Sequence, residues 1–322
     1  MTASGPLAET RYDQVQGIAR SVLEAVQAIW TDVTPDRILA AMAGEAGRAI
    51  LQAVTAGQLS VAAGAQAFVS GAMLAQGVGF GAAGALQPGA LAGVAADGRP
   101  LATLLYMPAI TTAQGLAAGL DPAVAMVRGL AQMSMLVSTT IADTARTATS
   151  VAMTAEPRCV SYVRVVRAPA CSRCIILAGR QYAHSEGFAR HPRCDCGMEP
   201  MSDAEWRASK GPEDILRDMT PEQREAALGK AGVKALEAGA DLGQVVNARR
   251  GMEVVRGKAI TREGTTKRGI GAKAMNAEFI KTPGQRYSRA AERRLMPEQI
   301  FKQARGDREL EIALMRKHGY IT

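Results

Sequence analysis

Four cysteines and one histidine stand close together in the middle of the chain, at spacings typical of metal sites. Cys171 and Cys174 are followed, sixteen residues later, by the run His191-Pro-Arg-Cys194-Asp-Cys196. Two thiolates separated by two residues can both face one tetrahedral site because a tight turn aligns their Cβ vectors, and His191 with Cys194 repeats this spacing. Four soft ligands favour zinc over magnesium or calcium. The spacing therefore predicts one zinc ion held by four of these five residues, with the choice between Cys194 and Cys196 left open.

The same residues lack the patterns of zinc enzymes. The chain has three histidines, at positions 184, 191 and 318, and Glu186 and Glu199 lack the His-Glu spacing of zinc hydrolases. The His-x-Glu that precedes Cys-x-x-Cys in deaminases is missing, and so is the βαβ context of a thioredoxin-like redox pair. We therefore expect a structural zinc that stabilises a small module, and no enzymatic activity. The simpler alternative is a set of reduced, buried cysteines around a core histidine.

Positive charge is concentrated in the second half of the chain. Residues 1–150 have a net charge of −2 and residues 151–322 one of +10, and residues 249–294 contain 13 Arg and Lys against four Asp and Glu. This density is typical of a segment that contacts a polyanion or an acidic partner, although a solvated basic face is the plain alternative. Because glycines interrupt the segment, we expect an extended, mobile basic arm that binds phosphates without reading bases. The residues expected to contact nucleic acid or a partner are Arg249, Arg250, Lys258, Lys267, Arg268, Lys273 and Lys281.

Cysteine usage and the N-terminal residues indicate the compartment. The chain has five cysteines, none before position 159, and no basic region precedes an apolar run at the N-terminus. An odd, crowded set fits metal better than a disulfide framework, and we expect no secretory signal and synthesis in a reducing cytoplasm. Residues 49–96 contain no charged residue, but Ala, Gly, Ser and Gln dominate them. We expect closely packed small-residue helices there and no stable membrane span.

Helix signals dominate the first half of the chain. Residues 9–30 predict a first helix, Thr34-Pro-Asp starts a second that runs to about residue 55, and residues 56–96 predict short helices. Asp121-Pro122 starts a helix of about 30 residues that continues almost to Pro157. The face of this helix predicted to be apolar or small consists of Val127, Leu130, Ser134, Val137, Ile141, Thr144, Ala148 and Val151.

The pattern changes after Pro157 and becomes helical again after residue 200. Residues 159–167 alternate with period two and predict a strand that leads into Cys171. Thr220-Pro-Glu-Gln forms a capping box, Gly239 and Gly251 end helices, and Pro297 opens a last helical pair that ends at Gly319. The predicted fold class is α+β and predominantly α-helical, with long N-terminal helices, a small strand-containing zinc-bound module and a helical, basic C-terminal region. The predicted domains are residues 1–156, 157–202 and 203–322, the last with the basic arm 249–294.

The cysteine motif and its surroundings resemble a known family. The segments Tyr162-Val-Arg-Val-Val, Cys171-Ser-Arg-Cys-Ile-Ile-Leu-Ala-Gly179 and Phe188-Ala-Arg-His-Pro-Arg-Cys-Asp-Cys196 resemble the Mu F-like minor head (minor capsid) proteins of tailed bacteriophages, in the version found in actinobacterial phages. Similarity continues at Asp97-Gly-Arg-Pro-Leu101, in residues 239–251 and 295–300, and at Gly319-Tyr-Ile321. The resemblance thus covers most of residues 97–322, while residues 1–96 match only in their helical, small-residue character.

This resemblance implies a structural virion protein, present in few copies per head, which associates with the portal vertex and is loaded during head assembly. The implied partners are the phage portal protein and the major capsid protein, with packaged DNA contacted through the basic arm and no small-molecule substrate. The implied location is the virion, after synthesis in the host cytoplasm. Some relatives carry a maturation protease or a C-terminal toxin, and neither is recognisable in this sequence. The alternatives are a non-specific nucleic-acid-binding protein and a maturation hydrolase that acts on DNA or protein.

Overall fold

The computed structural model describes residues 2–78, 81–202 and 205–321. Helices predominate and the strands form small antiparallel sheets, which confirms the predicted α+β, mainly helical class. The helices of this part are α1 (Gly5–Thr31), α2 (Ile38–Ala43), α3 (Glu45–Ala63), α4 (Ala65–Ala75), α5 (Leu101–Ala117), α6 (Pro122–Thr154), α7 (Ser172–Ile175), α8 (Pro212–Asp218), α9 (Pro221–Leu228), α10 (Lys230–Glu237), α11 (Leu242–Arg250), α12 (Ile270–Ala274), α13 (Pro297–Ala304) and α14 (Arg308–Lys317). The strands are β1 (Ser161–Val165), β2 (Gln181–Ala183), β3 (Gly197–Met201), β4 (Met252–Val255), β5 (Lys258–Thr261), β6 (Phe279–Ile280), β7 (Arg289–Ala290) and β8 (Arg294–Leu295).

The chain divides into two compact units. The first consists of Met1–Val166 and Ala178–Lys210, and the second of Arg167–Leu177 and Gly211–Thr322. The three-part division predicted from the sequence stays a prediction. Its second boundary adjoins residues 203 and 204, which lie outside the described residues.

The core of the first unit is a helical bundle formed mainly by α1, α3, α5 and α6. Small residues let these helices approach closely. A Cβ on Gly57 of α3 would lie 2.6 Å from Val22 of α1 and 2.8 Å from Ile141 of α6, and a Cβ on Gly129 of α6 would lie 2.7 Å from the Trp30 ring. Protein interiors are too densely packed to absorb such overlaps without movement. The abundance of glycine and alanine in this half of the chain therefore fits close helix packing.

Helix α6 confirms the predicted long helix and corrects its predicted face. It contains 33 residues, and the side chain of Asp121 accepts a hydrogen bond from the backbone N–H of Val124 at its start. Val127 and Val151 are exposed, whereas Ile141 is buried as predicted. The predicted series advances by ~3.4 residues per step, less than the 3.6 of an α-helix, so it rotates away from the core at both ends. The apolar and small residues that the helix buries include Ala125, Gly129, Met133, Val137, Ile141, Ala148 and Ala152.

The other predicted N-terminal helices differ in their bounds. The first begins at Gly5, four residues earlier than predicted. The second is interrupted, because Gly44 has a non-helical backbone (φ −103°, ψ −134°) that separates α2 from α3, and α3 continues to Ala63. Helix α5 was not predicted, and Pro108 lies inside it.

A three-stranded antiparallel sheet adjoins the bundle in the first unit. Its order is β2-β1-β3, so that Tyr162 at the centre pairs with Tyr182 on one side and Pro200 on the other. Strand β1 confirms the strand predicted within residues 159–167. Strand β3 begins directly after Cys196.

The second unit contains the remaining helices and two further small sheets. Its main sheet has the order β4-β5-β8, and β6 pairs with β7. The predicted capping box is present, since the backbone N–H of Thr220 donates to Gln223 Oε1 at 3.0 Å and the N–H of Gln223 donates to Thr220 Oγ1 at 3.3 Å. Gly239 and Gly319 follow helices with positive φ angles of 92° and 67°, as expected at helix ends. The core residues of this unit are Ala235, Ala240, Val245, Ala248, Met296, Ile300, Met315 and Tyr320.

Residues 249–294 are folded, so the expectation of an extended basic arm is wrong. The segment forms the hairpin β4–β5, helix α12 and the β6–β7 pair, and it buries Ile260 and Met275. Arg294 is 1% exposed and donates to the carbonyl oxygens of His318 at 2.7 Å and Gly319 at 3.2 Å. The local sequence cannot form a core alone, but the C-terminal residues, distant in sequence, supply the missing partners. One arginine counted as part of the arm is thus an internal hydrogen-bond donor.

Within the described part of the chain, two helical stretches are long and apolar enough to cross a membrane by length and composition alone. They are Glu45–Ala75 and Pro122–Thr154, with mean hydropathies of 1.2 and 1.3. One or two such stretches are weak evidence for a span, because core helices of soluble proteins have the same composition. The expected absence of a membrane span stays a prediction.

Candidate metal centre

The first pair of cysteines is positioned by a tight helical turn. Cys171 precedes α7, and its carbonyl oxygen accepts hydrogen bonds from the backbone N–H groups of Cys174 at 3.0 Å and Ile175 at 3.1 Å. Cys174 is buried and Cys171 is exposed. The turn is the local structure that the two-residue spacing predicts for paired ligands.

The second group of donors lies in the segment before β3. The backbone N–H of Cys194 donates to the carbonyl oxygen of His191 at 3.0 Å, and Arg193 between them has a left-handed backbone with φ 63°. The N–H of Arg193 donates to Thr139 Oγ1 of α6 at 3.0 Å, which attaches this turn to the long helix. Cys194 and Cys196 are both buried.

These donors form a cluster that could bind a metal ion. The ligand atoms of Cys171, Cys174 and His191 lie within 4.8 Å of one another, and so do those of Cys174, Cys194 and Cys196. In a tetrahedral site with Zn–S bonds of about 2.3 Å, two sulfurs are ~3.8 Å apart. Each group of three ligand atoms is therefore compact enough to contact a single ion. Cys174 belongs to both groups. Cys194 and Cys196 are equally close to it by this criterion, and the choice between them stays open.

A buried arginine from the sheet lies beside two of the thiols. Arg164 of β1 is 2% exposed, and its Nη2 lies 3.4 Å from the Sγ of Cys194 and 3.5 Å from the Sγ of Cys196. Its guanidinium also lies over the Phe188 ring, 4.3 Å from the ring centroid. A fixed positive charge in this position offsets the negative charge that thiolate ligands bring to a buried site.

A second buried arginine holds the backbone of the same segment. Nη1 of Arg146 in α6 donates to the carbonyl oxygens of Cys194 at 3.1 Å and Cys196 at 2.9 Å. The Nη2 of Arg146 pairs with Asp143, one turn earlier in α6. Asp143 also accepts a hydrogen bond from Nη2 of Arg190 at 2.5 Å. The buried charged pair in the second half of α6 therefore holds the loop that carries the buried thiols.

Sequence reasoning missed these supporting residues. Asp143 and Arg146 are charged residues at a spacing of three within the predicted apolar or small helix, which is a detectable signal for a buried polar contact. Arg164 stands in the middle of a predicted strand, and nothing in the local pattern distinguishes it from a solvent-facing residue. Only the fold brings it to the cysteines.

The fifth cysteine lies outside the cluster. Cys159 is 2% exposed and donates to the carbonyl oxygen of Ser161 at 3.4 Å. Burial raises the pKa of its thiol to about 11. It is a structural, protonated cysteine at neutral pH.

The glutamates considered as bases are placed differently. Glu186 is exposed. Glu199 is buried and accepts hydrogen bonds from the hydroxyls of Thr2 at 2.5 Å and Ser4 at 2.6 Å. Burial raises the pKa of Glu199, and the two hydroxyl donors oppose that rise. The side chain is engaged with the N-terminal residues of the chain.

The seven predicted contact residues of the basic segment are mostly on the surface. Arg249 is the exception, since it is half-buried and its Nη1 lies 3.6 Å from Glu298 Oε1. It therefore takes part in an internal ion pair. The six exposed residues are Arg250, Lys258, Lys267, Arg268, Lys273 and Lys281.

Comparison with known proteins places the larger part of the chain in one family. The model of the VG15 protein family matches residues 2–220, which include the helical bundle and all five donors of the cluster. No curated protein and no solved structure is significantly similar to the chain.

Proposed function

The chain belongs to the VG15 protein family, and we propose that this member is a non-enzymatic minor head protein of a tailed bacteriophage. The observation that carries the proposal is the resemblance of residues 97–322 to the Mu F-like minor head proteins, centred on Cys171, Cys174, His191, Cys194 and Cys196. The clustering of these five residues supports it, because a motif that functions as one unit must assemble in space.

The metal in this proposal is a structural zinc ion. Thiolate and imidazole donors are soft ligands that suit zinc, and five such donors are enough to fill four coordination positions with protein groups. A filled site has no position for an activated water, so zinc would supply folding energy rather than chemistry. The residues that would hold it are Cys174 with three of the other four donors.

The partners in this proposal are the portal protein and the major capsid protein, with packaged DNA as a further contact, and the location is the virion after synthesis in the host cytoplasm. Long helices such as α1 and α6 suit contacts within an assembly. The six exposed basic residues of the segment 249–294 also favour a second candidate function, non-specific nucleic-acid binding. The two functions are compatible, since a head protein can contact DNA without reading its sequence.

The test is incorporation into heads. The full chain is co-produced with the portal protein and the major capsid protein of the same phage, assembled heads are purified, and the chain is measured in them by quantitative mass spectrometry. We expect a few copies per head and none in heads assembled without the portal. Absence from heads that contain the portal would contradict the proposal. Specific cleavage of the capsid precursor or of DNA by the purified chain would replace it with the maturation hydrolase.

A further inference from the structure

Arginines line a cleft in the second unit that sequence reasoning did not single out. The cleft has a volume of about 570 Å³ and lies between the hairpin β4–β5 and the pair β6–β7. Arg262, Arg289 and Arg293 line it, together with the hydroxyl side chains of Thr261 and Thr265. The seven basic residues predicted from the sequence are not among its described lining residues.

Arg289 is held rigidly in this cleft. Its backbone pairs with Ile280 of β6 and forms a bridge to Thr266. Its Nη1 donates to the carbonyl oxygen of Arg262 at 2.7 Å and to Thr265 Oγ1 at 3.2 Å, while its buried Nε has no hydrogen-bond partner among the described residues. A buried donor without an acceptor is costly, and a guanidinium fixed in advance loses little entropy when it binds an oxyanion. The Arg289 guanidinium is thus held in place at the cleft with hydrogen-bonding capacity that the described residues do not use.

The carboxylates of the cleft form their ion pairs with other cations, and Arg293 and Arg289 act on Glu253 only at longer range. Glu253 pairs with Arg262 at 2.9 Å, which lowers the pKa of Glu253, and Glu292 pairs with Lys317 at 2.6 Å. Among the described residues, no carboxylate pairs with Arg289 or Arg293. The lining thus has three arginines against two glutamates, one of which pairs with Lys317 outside the lining, so the cleft has an excess of positive charge.

We propose that this cleft binds the phosphodiester backbone of a nucleic acid, with Arg289 and Arg293 contacting phosphate oxygens. The planar guanidinium group matches phosphate geometry, and exposed lysines on the same segment, such as Lys258 and Lys281, add long-range attraction to a polyanion. Tyr287, which is 54% exposed, also lines the cleft and offers a ring for stacking on an unpaired base. The inference rests on the proposed function only where it identifies the nucleic acid as packaged DNA.

The test is a salt titration of DNA binding by the full chain, followed by fluorescence anisotropy. The probes are two duplexes of unrelated sequence and a single strand of equal length. Arg289→Gln and Arg293→Gln should each lower the affinity about tenfold, the effect of one lost charge-assisted contact, and reduce the slope of log affinity against log salt by about one, equally for both duplexes. Arg308→Gln removes the same charge from an exposed position outside the lining and should bind like the wild type. Stronger binding of the single strand would identify unpaired nucleic acid as the ligand.

The Arg293→Gln variant keeps the test decisive if the Arg289→Gln variant fails to fold. The Arg293 side chain is exposed and no described hydrogen bond depends on it, so Arg293→Gln should keep the wild-type circular dichroism and melting temperature even if Arg289→Gln does not. Equal DNA binding by the wild type and Arg293→Gln would overturn the inference, and so would competition by polyglutamate as effective as that by DNA, which would identify an acidic protein partner. Head incorporation separates the two proposals. A chain that enters heads but binds DNA independently of the cleft contradicts only this inference, and a chain that binds DNA through the cleft but never enters heads contradicts only the proposed function.

Discussion

At the scale of single residues, Cys174 is the donor on which the candidate metal centre depends most. It is the member common to both groups of closely spaced ligand atoms, and it is buried. Among the described residues, each of the other four donors belongs to one of the two groups. Loss of its thiol therefore removes a ligand from both groups.

We predict that Cys174→Ser abolishes metal binding. The wild-type chain, purified without chelator, should contain about one zinc ion, and the variant should contain only background metal by elemental analysis and native mass spectrometry. Cys159→Ser is the matched control, because Cys159 is also buried but lies outside the cluster, and it should keep the metal. A metal-free wild-type protein would contradict the metal centre itself.

His318 is a buried histidine whose protonation must weaken the fold. It is 2% exposed, its Nδ1 lies 3.3 Å from Met275 Sδ, and burial lowers its pKa to about 4, with Lys317 and Arg294 acting in the same direction and Glu292 opposing them. The unfolded chain binds this proton near pH 6.5 and the folded chain only near pH 4. Between these values the unfolded state holds more protons, so stability falls as the pH decreases.

We predict that the wild type loses roughly 3 kcal/mol of unfolding free energy between pH 7 and pH 4 through this residue. Urea unfolding at a series of pH values measures the loss. His318→Gln cannot titrate and should remove this part of the pH dependence, while the backbone carbonyl that binds Arg294 remains. An unchanged pH profile in the variant would show that His318 does not carry the effect.

At the scale of elements, the position of α6 depends on Gly129. A Cβ there would lie 2.0 Å from Thr112 Oγ1 of α5 and 2.7 Å from Trp30 Cζ2 of α1. Three helices thus meet where there is no space for a methyl group. The same helix carries Asp143 and Arg146 about four turns later, and Arg146 binds the backbone of the loop that carries Cys194 and Cys196. A shift of α6 would therefore also move this loop.

We predict that Gly129→Ala destabilises the chain by about 2 kcal/mol because the helices must separate to admit the methyl group. Gly17→Ala is the control, since among the described residues no atom outside its chain neighbours and the local backbone of α1 lies within 4 Å of a Cβ at that position. It should stabilise the chain by about 0.5 kcal/mol through helix propensity. Chemical denaturation of both variants measures the difference. Equal stability of the two variants would show that the contact of α1, α5 and α6 at Gly129 has room for a methyl group.

At the scale of the whole molecule, two apolar helical stretches raise the question of membrane insertion. Both belong to the core of the first unit and carry polar groups satisfied there. Gln58 of α3 is fully buried and donates to Thr144 Oγ1 of α6 at 3.1 Å, and Asp143 of α6 accepts a hydrogen bond at 2.5 Å from Arg190, which lies outside the helix. A helix that entered lipid would lose these partners, which is costly in hydrocarbon.

We predict that the full chain remains in the supernatant when cell lysate is centrifuged at high speed without detergent. Alkaline carbonate washing of the membrane pellet should release whatever chain is associated with it. Retention in the washed pellet, with release only by detergent, would show a membrane-spanning protein. A host membrane protein with known membrane-spanning helices, followed in the same fractions, provides the control.

The sequence by itself determined the features that depend on neighbours along the chain. The capping box at Thr220, the start of α6 at Asp121, the helix ends at Gly239 and Gly319 and the turn of Cys171 and Cys174 all involve groups within a few residues of one another. Over such distances, local backbone conformation and side-chain-to-backbone hydrogen bonds relate residue type to structure. The mainly helical class and the candidate ligands were predictable for the same reason.

Tertiary structure decided what depends on distant partners. It rotated the buried face of α6 away from Val127 and Val151, placed Arg164 and Arg146 beside the cysteine segment, and folded residues 249–294 around Arg294 and the C-terminal helices. Burial of an arginine is favourable only where several acceptors converge on it, and those acceptors come from remote parts of the chain. The density of basic residues in the sequence therefore predicted an extended arm, whereas in the folded chain residues 249–294 help to form a cleft lined by arginines.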